Sequence, residues 1–174
     1  MKRVLLFRHA KAVPGGSKID DRSRALADRG RIDAPKMGLY MRKHRLAPEL
    51  VLCSPSKRTV ETAELAFAGS RKGPETQLVE ALYLAEPQTI FSILRALADE
   101  TRSVCLVGHN PGLEECAGAL ARDPMTRREK DVYGLIEEKF PTCALAVLDF
   151  EIKRWHDLEP GTGALVEFVR PRDL

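Results

Sequence analysis

Apolar residues in this chain gather in short runs that stop abruptly at polar residues, glycine or proline. Val4-Leu5-Leu6-Phe7 ends at Arg8-His9-Ala10, Leu50-Val51-Leu52-Cys53 at Ser54-Pro55-Ser56, and Val104-Cys105-Leu106-Val107 at Gly108-His109-Asn110-Pro111-Gly112. Unbroken apolar runs of this length predict strands covered on both faces, as in the middle of a parallel sheet. Strands are predicted at 3–7, 49–53, 76–79, 103–107, 144–150 and 164–169. Between them apolar positions recur at helical spacing. Ile90, Phe91, Leu94, Leu97 and Ala98 form one stripe behind Glu86-Pro87, proline being favoured at the first helical position. Val60, Ala63 and Phe67 form another, closed by Gly69 and Gly73-Pro74. The predicted helices are 23–44, 56–69, 87–99 and 112–121.

Strands alternating with helices predict an α/β fold: a three-layer α/β/α sandwich with a mostly parallel central sheet. One domain is expected over residues 1–174. The last two strands are expected to form a hairpin around Glu159-Pro160-Gly161, which makes the sheet mixed. Residues 122–142 break the pattern and carry the charged cluster Arg127-Arg128-Glu129-Lys130-Asp131. They are read as helix plus loop packed over the sheet edge.

Composition narrows the function classes. A hydrophobic content of 44% and a charged content of 30% are ordinary for a globular protein. The net charge of +3, with one Trp and three Tyr, offers no stacking platform, so no nucleic-acid partner is expected. The apolar stretch after Met1-Lys2-Arg3 breaks at Arg8, too short for a signal-peptide core or a membrane span, so no membrane partner is expected. Cys53, Cys105, Cys116 and Cys143 are far apart and form no Cys-x-x-Cys pair. They read as reduced, buried thiols of a cytoplasmic protein. No apolar face is left over, so a monomer is expected.

Ligands of open α/β sheets bind beyond the carboxyl ends of the strands. Three predicted strand ends thus bring His9, His109, Arg8, Arg58 and a Ser-rich turn to one rim. That set suits an anionic tetrahedral group such as phosphate. A neutral imidazole is a competent nucleophile toward phosphorus, and nearby positive charge keeps it neutral. Arg8 and Arg58 can take phosphate oxygens through paired N–H donors. His109 can donate to a third oxygen, and the amides of Asn110 and Gly112 open a helix, a natural anion site. The segment is not a P-loop, because the Gly-Lys-Ser/Thr ending is missing.

Other charged residues have plainer readings. His44, in the run Arg42-Lys43-His44-Arg45, decorates a helix carboxyl end, and His156 beside Trp155 is a surface residue. Arg22, Arg24, Arg29 and Arg31 read as a solvated face. Lys11 is either a phosphate contact or a solvated loop charge.

Taken together, these motifs resemble the histidine phosphatase superfamily, whose Arg-His-Gly signature is Arg-His-Ala here. The closer resemblance is to SixA-type phosphohistidine phosphatases. It runs through Leu5-Leu6-Phe7-Arg8-His9-Ala10-Lys11-Ala12, Asp21-Arg22-x-Arg24-x-Leu26, Ser54-Pro55-Ser56-x-Arg58-Thr59-x-x-Thr62-Ala63, Val107-Gly108-His109-Asn110-Pro111-Gly112-Leu113 and Pro141-Thr142-x-Ala144-Leu145-Ala146. The resemblance implies a phosphoglycerate-mutase-like fold, His9 as nucleophile, and Arg8, Arg58 and His109 around the phosphate. It implies no metal and no organic cofactor. In the wider superfamily a carboxylic acid protonates the leaving group, and Glu80 is the positional candidate, with a plain loop carboxylate as the competing reading. The expected reaction is hydrolysis of phosphohistidine on a signalling or phosphotransfer protein, for example a histidine phosphotransfer domain. Little chain is spare between the motifs, and an open rim suits a phosphate displayed on a protein. The alternative is a small-molecule phosphomonoesterase on the same scaffold.

Overall fold

The computed structural model describes residues 1–17, 20–69 and 73–174. Its strands are β1 (Lys2–Arg8), β2 (Leu50–Cys53), β3 (Glu75–Leu78), β4 (Ser103–Gly108), β5 (Leu145–Phe150) and β6 (Ala164–Val169). They form one sheet in the order β3-β2-β4-β1-β5-β6. The first four positions run parallel, β5 is antiparallel to β1, and β6 is antiparallel to β5. The helices are α1 (Asp28–Lys43), α2 (Lys57–Phe67), α3 (Pro87–Arg95), α4 (Gly112–Leu120) and α5 (Arg127–Glu138).

Alternation of side chains along a strand explains why the apolar runs are unbroken. Val4, Leu6, Val104 and Leu106 face a core built with Ile90, Phe91 and Leu94 of α3 and Leu113 and Leu120 of α4. Leu5, Phe7, Cys105 and Val107 face the opposite core, built with Met37 and Met41 of α1 and Ala63 and Ala66 of α2. Each central strand serves two cores, which gives the three-layer sandwich. The layers approach closely: a Cβ on Gly38 would lie 1.8 Å from the Ala66 carbonyl oxygen, so this point of the α1–α2 contact requires glycine.

Two local expectations are corrected. The first helix does not begin at 23. Asp21–Ser23 is a single 3-10 turn, and the next residues are extended because they pair with the chain leaving β1: Val13 N–H donates to Ala25 and Ala27 N–H to Lys11. The last two strands do pair, but not through a tight turn. The connection over 151–163 folds inward to bury Trp155, whose indole N–H donates to the Thr101 carbonyl at 2.9 Å. Within 122–142, α5 holds the charged cluster, capped by the Thr126 hydroxyl on the Glu129 amide. His44 caps the end of α1 and stacks on Tyr40 with centroids 4.0 Å apart, and His156 is exposed, both as read from the sequence.

Candidate active site

Strand register sets the centre of the site. Arg8 pairs with Gly108 across β1 and β4, so His9 and His109 leave neighbouring strands side by side. Their ring centroids are 5.3 Å apart, close to the spacing of adjacent strands, about 4.8 Å. β2 ends next door, and its continuation turns into α2, which carries Arg58 in its first turn. The Ser/Thr pattern here builds the turn: Thr59 Oγ1 donates to the Ser54 carbonyl at 2.7 Å. Thr62 Oγ1 accepts from the Ala10 amide at 3.0 Å, tying the end of β1 to α2. On the other side, the Cys143 amide donates to the His9 carbonyl and the Arg8 amide to Ala144.

These elements enclose a cleft of about 360 Å³. Of the sequence-predicted residues, Arg8, His9, Arg58, His109 and Asn110 all line it. Arg8 Nη1 donates to the Phe140 carbonyl at 2.7 Å, and its Nε is buried without a hydrogen-bond partner among the described residues. Asn110 Nδ2 donates to the same carbonyl at 3.1 Å and to Glu114 at 2.7 Å. The amide side chain is therefore turned to structural partners.

His9 Nδ1 lies 2.8 Å from the Ala10 carbonyl oxygen. A carbonyl only accepts, so Nδ1 carries the proton and Nε2 carries the free lone pair. Burial, with Arg58, Arg8 and Arg24 nearby, pushes the His9 pKa down to about 4. His109 is pushed down to about 3 by burial, by His9 and by Arg58. Both rings are neutral near pH 7.

Glu80 is not brought to the cleft. It opens the 3-10 turn Glu80–Leu82, its side chain is 68% exposed, and it pairs with Arg22. The carboxylate that does line the cleft is Asp21. Its Oδ2 accepts from Arg58 Nη2 at 2.9 Å and from the Tyr83 hydroxyl at 2.6 Å, and its Oδ1 accepts from Arg24 at 2.8 Å. The Tyr83, Arg24 and Arg58 donors hold this carboxyl well below the usual carboxylate range. Arg24 also donates to the Val13 carbonyl and faces the cleft, which corrects its reading as part of a solvated face. Lys11 and Thr142 complete the rim. Asp21, Arg24 and Thr142 sat inside quoted motifs, but no periodicity or spacing in the sequence marks them as cleft residues. Among the described residues no group of three or more His, Cys, Asp or Glu side chains is arranged to hold a metal ion, and no helix is long and apolar enough to cross a membrane.

No family model matches the chain. It is 37% identical over 167 residues to an uncharacterized protein of Mycobacterium tuberculosis, covering 95% of this chain and all of that one. A protein of Mycobacterium leprae, also described only as uncharacterized, is 36% identical over 169 residues with the same coverage. Among solved structures, one from Agrobacterium tumefaciens, provisionally described as the phosphohistidine phosphatase SixA, superposes with a TM-score of 0.77 at 29% identity over 98% of both chains. A second, from Nakamurella multipartitia and described in the same terms, gives a TM-score of 0.83 at 24% identity over 98% of this chain and 96% of that one. With two neighbouring histidines and two arginines converging at the strand ends of such a sheet, the chain has the fold of the histidine phosphatase superfamily and is built like its SixA-type members.

Proposed function

We propose that the protein removes phosphate from phosphohistidine on a partner protein, through a covalent phosphohistidine on His9. The observation that carries this reading is the acid the cleft lacks. Among the described residues lining it, Asp21 is the one carboxylic group, and three donors keep it ionised. An alkoxide leaving group needs a proton from the enzyme, whereas phosphohistidine does not. Protonated on its far ring nitrogen, the substrate imidazole departs neutral.

In the first step His9 Nε2 forms a bond to phosphorus and the substrate N–P bond breaks, its electron pair leaving with the substrate ring. The Nδ1–H donated to Ala10 fixes the tautomer that exposes Nε2. Arg8 and Arg58 bind the equatorial oxygens and stabilise their charge in the transition state. In the second step water attacks phosphorus, the His9 N–P bond breaks, and the proton released by water leaves with inorganic phosphate. His9 returns to its starting tautomer. This reading agrees with the descriptions of the Agrobacterium and Nakamurella structures.

The test is a hydrolysis panel. A histidine phosphotransfer domain carrying phosphohistidine is compared with phosphoserine, a sugar phosphate and an alkyl phosphate, and rapid quench is used to trap labelled His9. Faster turnover of phosphohistidine, with the label lost in His9→Ala, is expected. Preference for the alkyl phosphate overturns the reading.

A further inference from the structure

A second groove lies beside the cleft and shares Lys11 and Thr142 with it. Its volume is about 470 Å³. The start of α1, the end of α5 and the 3-10 turn Pro171–Asp173 form its walls. Pro141 and Pro171 supply apolar surface.

Its charge is predominantly positive. Five cationic side chains line it, against Asp33 and Glu138 and the Asp173 carboxylate of its wall. Internal pairing uses up part of this. Arg29 is held by Asp33 at 2.8 Å, and Arg170 by Glu138 at 2.7 Å and Asp173 at 2.9 Å. Arg172 reaches Glu138, which Arg170 already holds, and remains 62% exposed. Lys11 and Lys139 are exposed and have no carboxylate partner among the described residues. The positive charge left without a carboxylate partner is therefore on Lys139 and on Lys11, which the groove shares with the cleft, while the exposed Arg172 shares Glu138 with Arg170.

We propose that this groove docks an acidic segment of the same protein whose phosphohistidine enters the cleft. The inference rests on the phosphohistidine reading above and adds to it the character of the partner. A phosphate on a protein cannot reach Arg8 and Arg58 without the surrounding chain crossing the rim. The groove is continuous with that rim, and its surplus charge complements Asp and Glu side chains. Lys11, Lys139 and the exposed side of Arg172 remain available to a ligand, while Arg29 and Arg170 are held by carboxylates within the groove.

The test uses the full chain and three phosphorylated probes: phosphoimidazole, a peptide with phosphohistidine flanked by Asp and Glu, and the same peptide with Gln in their place. The wild type is expected to favour the acidic over the neutral peptide in kcat/KM by about tenfold, a preference that falls with salt. The double variant Lys139→Glu, Arg172→Glu is expected to lose that preference and to hydrolyse phosphoimidazole at the wild-type rate, which also reports that it folds. The milder Lys139→Gln, Arg172→Gln variant should fall between. Fluorescence anisotropy with the unphosphorylated acidic peptide reads docking without catalysis. Docking that the double variant abolishes, with no hydrolysis of any probe, supports the groove and overturns the phosphohistidine reading. Hydrolysis of phosphoimidazole with equal rates on both peptides does the reverse. Tighter binding of a single-stranded oligonucleotide than of the acidic peptide overturns the groove as a protein site.

Discussion

Ser54 Oγ lies 2.8 Å from His109 Nε2, in a buried contact at the floor of the cleft. On the other side of the ring, Arg58 Nη2 lies 3.2 Å from Nδ1. A guanidinium can only donate, so Nδ1 is the acceptor and Nε2–H donates to the serine. To donate to a phosphate oxygen from Nδ1, the ring must move its proton, and Ser54 must change from acceptor to donor. A hydroxyl serves in both roles.

Replacing this hydroxyl tests that reading. Ser54→Ala removes a buried hydrogen-bond partner, a loss of about 1–3 kcal/mol. Turnover is expected to fall about tenfold or more. Nitrogen NMR of His109 should show the proton on Nε2 in the free wild type and on Nδ1 with inorganic phosphate bound. An unchanged tautomer on binding contradicts the switch.

Asp21→Asn separates charge from position. Arg58 keeps its contacts to the Asp21 carbonyl, at 2.6 Å, and to His109, so its placement is largely preserved. The carboxylate's repulsion of a phosphate dianion is removed. Inhibition by inorganic phosphate is expected to tighten several-fold, read as a lower Ki. Weaker inhibition would mean that the carboxylate matters more for holding Arg58 and Arg24.

Glu80→Gln should change turnover of phosphohistidine and of an alkyl phosphate by less than about twofold, far from the 10²–10⁴-fold of a general acid. The reason is the pairing of Glu80 with Arg22, away from the cleft. A large loss confined to the alkyl phosphate restores Glu80 as the acid.

Both histidines link stability and activity to acid. Their folded pKa values, about 4 and about 3, lie below the ordinary value of 6.5. The unfolded chain thus takes up protons first as pH falls. Their contribution to stability is full above about pH 6.5 and is lost progressively as pH falls toward 4 and 3. Thermal melts from pH 7.5 to 4 are expected to show a falling midpoint, less steep in His9→Asn and His109→Asn. Turnover should hold down to about pH 5 and fall as His9 protonates near pH 4.

At the α1–α2 contact, Gly38→Ala places a methyl group against the Ala66 backbone, not a movable side chain. Overpacking of this kind costs about 1–3 kcal/mol. Urea titration should show the loss, with no change in denaturant slope.

Much of this was legible in the sequence because strand chemistry is local. The runs ending at Arg8-His9, Ser54 and Gly108-His109 gave the parallel strands and put five of the six named site residues in one cleft. Glu80 was placed by position between motifs, and such placement says nothing about which way a short turn faces. Asp21 carries no signal of its own in the sequence, and Arg24 reads as a solvated charge, because their direction depends on pairing between residues 11–13 and 25–27, a contact that leaves no periodicity. The 151–163 connection was misread as a tight turn, since the burial of Trp155 against Thr101 is a tertiary event.

The register that sets Arg8 beside Gly108 has a consequence for how the chain matures. The two histidines belong to strands separated by most of the preceding sequence, and no local segment holds them together. Their spacing comes from a ladder that closes only after α1, β2, α2, β3 and α3 have been threaded between. Contacts of such sequence separation form late and slowly. In refolding, helical signal should therefore return well before catalysis, and a nascent chain is inert until β4 has docked.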